Sequence, residues 1–191
     1  MPTVEQHRTM PLLFQPLELV DAGVDDVHVG DPALTDHSWS RLGSFVREDL
    51  VVLDGTAAPG VHPPVIEALA VPDRNRPDAA EAMIRLEHSR ERFARLPLPE
   101  SGGQPRPAGS VTVQLPTAER YSGEVAITLQ NLPDDERAAV VGSVRRPMAS
   151  RLACMECPPP HAPPSPFLEL SPKKRSKNAS SRPITRCFFS P

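Results

Sequence analysis

The sequence predicts an α+β fold, with a small, marginally packed body of short strands and one clear amphipathic helix, followed by a disordered, proline-rich, basic C-terminal tail. A largely disordered chain is the alternative. Three observations lead to this class. Twenty-five of the 191 residues are proline, which removes backbone donors and interrupts helices and central strands. One Trp, one Tyr and six Phe in a chain that is 39% hydrophobic supply few of the large surfaces that dominate core energetics. Residues 1–157 carry 15 Arg against 23 acidic residues, net −8, whereas residues 158–191 carry six Lys plus Arg against Glu169, net +5.

The N-terminal segment, residues 1–100, opens with strand-like pieces. These are Leu17 to Val20, the alternating Val24, Val27 and Val29, and the apolar run Leu50 to Leu53, closed by the turn dipeptide Asp54-Gly55. A four-residue apolar run before such a dipeptide fits a buried strand. Pro59, Pro63 and Pro64 mark a loop leading to a helical turn or two over Val65 to Ala70.

The strongest local pattern predicts a helix over 78–96. Asp78 and Glu81 have capping-box spacing. Met83, Leu86, Phe93 and Leu96 fall near one face, and Glu81 with Arg85 and Glu91 with Arg95 are i,i+4 pairs worth about 0.2–0.5 kcal/mol each. Pro97 and Pro99 end it, and residues 101–110, SGGQPRPAGS, read as a flexible linker.

Residues 111–146 read as a strand pair and a short helix. Val111, Val113 and Leu115 alternate with polar residues, as Val125, Ile127 and Leu129 do with Ala126 and Thr128, giving the two-residue period of half-buried strands. Asp134 or Asp135 is placed to cap a helix through Ala138, Val140 and Val141. From 147 to 191, proline and charge offer little apolar area to offset chain entropy, so disorder is expected.

Composition also bounds function. A net charge of −3 argues against a nucleic-acid-binding body, leaving only weak binding through the tail. Three cysteines give no disulfide framework and suggest a reducing, intracellular setting. The sequence has no apolar stretch of the ~20 residues that a membrane helix needs, so no membrane partner is expected.

No catalytic residue is assigned. Ser38 or Ser40, His37 or His62, and Asp36 or Asp54 are the types that form a nucleophile, base and orienter, but no spacing selects them. Walker A, H-E-x-x-H, G-x-S-x-G and G-x-G-x-x-G patterns are absent. Cys154, Cys157, His161 and Cys187 can be written as a four-ligand zinc set, although the split second pair is poor zinc spacing, and no cofactor is expected.

The tail carries the most interpretable motifs. Lys173, Lys174, Arg175 and Lys177 resemble a nuclear-import signal, and Ser171-Pro172 beside them resembles a proline-directed phosphorylation site, where a phosphate would offset the cations. Ile184, Phe188 and Phe189 resemble the sliding-clamp-binding peptides of replication proteins and are candidate short-motif anchors. They depart from that pattern in Arg182, which stands in the glutamine position, and in the early placement of Ile184.

These features favour a non-enzymatic interaction or regulatory protein, more often nuclear than cytoplasmic, that captures a protein partner through its tail. The alternatives are a small soluble enzyme-like domain of unknown reaction from a GC-rich genome, and the product of a weakly selected or overprinted reading frame.

Overall fold

A computed structural model of the chain describes residues 4–24, 26–30, 33–48, 50–78, 80–144 and 184–190, with the backbone alone for 6, 9, 20, 21 and 184–190. Within these residues the chain forms an α+β body around one sheet. In chain order the elements are α1 (Phe14–Asp21), α2 (Asp36–Glu48), β1 (Leu50–Ala57), α3 (Pro63–Leu69), β2 (Asp73–Arg74), β3 (Met83–Arg85), α4 (Ser89–Phe93), β4 (Ser110–Gln114), β5 (Val125–Thr128), β6 (Ala138–Val144) and β7 (Ile184–Ser190). Short 3-10 helices cover Glu5–Thr9 and Pro116–Tyr121.

The strand order is β2-β7-β1-β6-β4-β5-β3. All neighbours are antiparallel except β1 and β7, which run parallel. The strand pair read from alternation is present: Val111 sits opposite Ile127 and Val113 opposite Val125. Val111, Val113, Val125, Ile127, Val51 and Leu53 are fully buried, and Phe14, Val65, Leu69 and Phe93 pack on them from the helices. Each such side chain contributes roughly 1.5–3 kcal/mol on leaving water.

Local choices follow from the sequence. Pro63 and Pro64 open α3, where a missing N–H costs nothing. Helix α2 buries none of its own residues and is held to β1 by Arg41, which donates from Nε and Nη2 to the Val52 carbonyl at 3.1 and 2.7 Å and from Nη1 to Asp54 at 2.7 Å.

Several expected elements are different. Leu17 to Val20 belongs to helix α1. Val24, Val27 and Val29 are exposed and outside any strand. Asp54-Gly55 is not a turn, because β1 continues through it and pairs with β6 and β7.

The helix over 78–96 is replaced by β3 and the single helical stretch α4. Ile84 and Leu86 turn inward and are buried, and β3 pairs with β5 while Leu86 N–H donates to Val125 O. Two surface ion pairs of a few tenths of a kcal/mol each do not compete with that burial.

The helix expected after Asp135 is instead β6, the strand between β1 and β4. The linker 101–110 is fitted rather than flexible: Arg106 is buried and donates twice to Pro133 O, at 2.9 and 2.7 Å. Residues 184–190 form strand β7, and 145–183 and 191, the remainder of the expected disordered tail, lie outside the described residues.

Gly102 shows how closely this loop is held. A Cβ there would lie 2.5, 2.6 and 2.8 Å from the carbonyl oxygens of Ala138, Glu136 and Asp135, all backbone atoms that cannot rotate away. Gly102→Ala is expected to lower unfolding stability by about 1–3 kcal/mol. Gly30→Ala, with nothing within 4 Å of its Cβ, should change stability little. Denaturant melts of the two variants check the contrast.

Candidate functional site

A cavity of about 230 Å³ opens beside the β3 end of the sheet. Its wall begins with β3, whose alternation sends Ile84 into the core and leaves Met83 and Arg85 half-buried on the other face. Gln114 closes β4, Glu124 immediately precedes β5, and Asp135 and Arg137 lie on the approach to β6. Ala118 and Tyr121, from the Pro116–Tyr121 turn, complete the rim.

Ion pairs organise this wall. Arg76 donates from Nη1 to buried Glu124 at 2.8 Å and from Nε to Asp78 at 2.9 Å. Arg85 holds the other Asp78 oxygen and the Asp78 carbonyl. Arg137 pairs with Asp135 at 3.2 Å. Arg85 Nε is buried with no acceptor among the described residues, which costs about 1–3 kcal/mol.

The rim turn is strained. Glu119 has φ 52° and ψ −114°, a conformation suited to glycine that costs a side-chain-bearing residue about 1–3 kcal/mol. The turn presents Tyr121 to the cavity with the Arg120 guanidinium 4.7 Å from its ring centroid. Arg120 Nη2 also donates to Tyr121 Oη at 2.7 Å. Gly123 anchors the turn with φ 78°, and a Cβ there would meet Arg90 O at 3.0 Å.

Two carboxyls are displaced downward. The Arg137 backbone N–H outweighs the opposing desolvation at Asp135, and the Arg137 side chain adds to it, so Asp135 titrates below its ordinary value. At Asp78, desolvation pushes upward, but the Arg85 and Arg76 guanidiniums overcome it and the net direction is down. Carboxyls held ionised suit acceptance of hydrogen bonds rather than proton donation.

Other polar clusters serve the frame. Buried Asp73 accepts from His88 Nδ1 at 3.0 Å, from Arg92 Nη2 at 3.0 Å and from two backbone N–H groups, tying β2 to α4. Of the hydrolytic types weighed from sequence, His37 and Asp54 meet at 3.1 Å, yet Ser38 is bonded to Thr35 at 3.0 Å and Arg41 takes the second Asp54 oxygen. No nucleophile completes that pair among the interactions of the described residues.

The comparisons bear on the same region. Residues 66–156 match a family model described as 6-phospho-N-acetylmuramidase, C-terminal. That match spans β2 through β6 and is just under half of the chain. No curated protein matches.

Two solved structures are similar in fold. An uncharacterized B. cereus protein is 27% identical with TM-score 0.63, covering 78% of this chain and 44% of its own. A conserved Enterococcus faecalis protein of unknown function is 21% identical with TM-score 0.68, covering 97% of this chain and 43% of its own. The chain thus spans less than half the length of the solved structures it matches.

These findings overturn the expectation of a nuclear, disordered, proline-rich interaction protein: the chain has a packed sheet, and its similarities are to an enzyme family and to folded bacterial proteins.

Of the residues singled out from sequence, Cys154, Cys157, His161, Ser171, Lys173, Lys174, Arg175 and Lys177 lie outside the described residues. Ile184, Cys187, Phe188 and Phe189 are on β7, where their backbones pair with Leu50, Leu53, Asp54 and Gly55. Among the described residues no group of three or more His, Cys, Asp or Glu is placed to hold a metal, and no helix is long and apolar enough to cross a membrane.

The cavity-lining Glu124 and Arg137, and Arg76 paired with Glu124, do not stand out in the sequence, and Arg85 stands out only as a helical ion-pair partner of Glu81. Arg76 and Glu124 are 48 positions apart, and no local motif joins them.

Because the Asp135 carboxyl titrates lower in the folded chain than in the unfolded one, its contribution to stability is present above the ordinary aspartate range near pH 3.8 and fades as pH falls through its lowered value. Asp135→Asn should therefore flatten the acid limb of the stability curve below about pH 4. Chemical denaturation from pH 2 to 7 measures this, and an unchanged acid limb would speak against the Arg137 contacts as its source.

Proposed function

We propose that this chain is the substrate-flanking, C-terminal-type part of an enzyme that cleaves glycosides of 6-phospho-N-acetylmuramic acid in the cytoplasm, with the bond-breaking groups supplied by another part of the enzyme. The carrying observation is the family match over residues 66–156, which falls on the strands and loops that build the cavity.

Two structural features support a part that works beside another. Glycoside cleavage ordinarily needs one carboxylic acid that donates a proton and one carboxylate, whereas Asp78 and Asp135 are held ionised by arginines. Trp39 and Val46 are also strongly exposed and, seven positions apart on α2, share a helix face. An apolar stripe of this kind suits contact with a neighbouring domain.

The test is a graft of residues 50–144 into the similar B. cereus protein in place of its matching segment, assayed on an aryl glycoside of 6-phospho-N-acetylmuramic acid. Turnover by the intact protein and by the graft, with none from the present chain alone, is the expected result. Turnover by the present chain alone, or none from a cooperatively melting graft, contradicts it.

A further inference from the structure

We propose that the cavity beside β3 is a binding subsite for an uncharged, hydroxyl- and amide-bearing group of sugar-ring size, and not for phosphate or a carboxylate. The proposal stands on the cavity's own chemistry, whether or not the chain works with a phosphomuramidase.

Charge decides the ligand class. Arg76, Arg85 and Arg137 are balanced by Asp78, Glu124 and Asp135, and each guanidinium has a carboxylate partner, although the buried Arg85 Nε still has no acceptor among the described residues and is open to a neutral carbonyl oxygen. An anion entering here has to displace a carboxylate from a guanidinium or sit against Glu124 and Asp135 without compensation, and unpaired charge near a low-dielectric wall is costly.

A neutral polar ligand meets no such conflict. Among the described residues the Gln114 side-chain amide has no partner, so it offers two donors and an acceptor to the cavity it lines. Tyr121 Oη accepts from Arg120, which leaves its own hydrogen free to donate. Glu124 is bonded through Oε2 and Asp135 through Oδ1, so the second oxygen of each has lone pairs for ligand hydroxyls.

The apolar part of the wall fits the same ligand. Met83, Ala118 and the partly exposed Tyr121 ring supply a surface for the C–H face of a sugar. The volume of about 230 Å³ lies below the ~300–1,000 Å³ of drug-sized pockets and suits one ring. The strained Glu119 turn fixes Ala118 and Tyr121 in place before the ligand arrives, the pattern expected of a preorganised site.

The experiment uses the full chain, labelled with nitrogen-15 and titrated separately with N-acetylglucosamine and inorganic phosphate. N-acetylglucosamine should shift the Gln114 side-chain amide and the Ala118 and Tyr121 backbone amides saturably, with a dissociation constant on the order of 1 mM, while phosphate leaves them in place.

Gln114→Ala and Tyr121→Phe should each weaken sugar binding roughly 3–10-fold, as expected for loss of one hydrogen bond, with the remaining spectrum unchanged. Shifts with phosphate alone, shifts with neither probe, or sugar shifts indifferent to both folded variants would overturn the proposal.

Discussion

Strand β4 exchanges hydrogen bonds with β6 along one edge and β5 along the other, and its central residues Val111, Thr112 and Val113 are all buried. The rest of the molecule hangs from this three-strand ladder. β1 joins through β6, β3 joins through β5, and the loops leaving β4 and entering β5 and β6 carry the cavity wall. A chain with 25 prolines and few aromatics reaches a packed state through strands whose buried residues are chiefly Val, Leu, Ile and Ala, covered by helices that add Phe14, Val65, Leu69 and Phe93. Among the described residues its prolines fall in loops and helix first turns, where a missing donor is tolerated.

The site inherits its geometry from that ladder. Met83 and Arg85 face the cavity because Ile84 faces the core, and Glu124 is placed beside Arg76 because β5 must bring Val125 into the ladder. The chemistry that results is charge-balanced. Arginines clamp carboxylates on the wall, and Gln114, Tyr121, the buried Arg85 Nε and the spare carboxylate oxygens keep open hydrogen-bonding capacity among the described residues. Such a wall orients a polar neutral surface better than it holds an ion.

How much was legible in the sequence followed the range of the interactions. β4 and β5 were readable because large aliphatic residues recur at every second position, Val111 and Val113 in one and Val125 and Ile127 in the other, so the strand period is written locally. β6 was not: the adjacent Ala138 and Ala139, and Val141 and Gly142, are buried, so both faces of the strand are covered, which removes the alternation and leaves a run that equally suits a helix. Residues 78–96 carry true helical charge spacing, but Arg85 spends its guanidinium on Asp78 rather than Glu81, because pairing with β5 outweighs a surface ion pair. The cavity was invisible for the same reason: its contacts join positions dozens of residues apart. The charge split that suggested a tail-driven interaction protein said nothing of the ladder, and the ladder with its bacterial likenesses displaces that view.

Native-state amide hydrogen exchange on the intact chain tests the ladder directly. The amides of Val111, Val113, Val125, Ile127, Ala139 and Val141 should exchange slowly and together, with one opening free energy equal to that of global unfolding. Residues 26–30, which lie outside any helix or strand, should exchange quickly. Ladder amides that exchange as fast as residues 26–30 would contradict a body organised around β4.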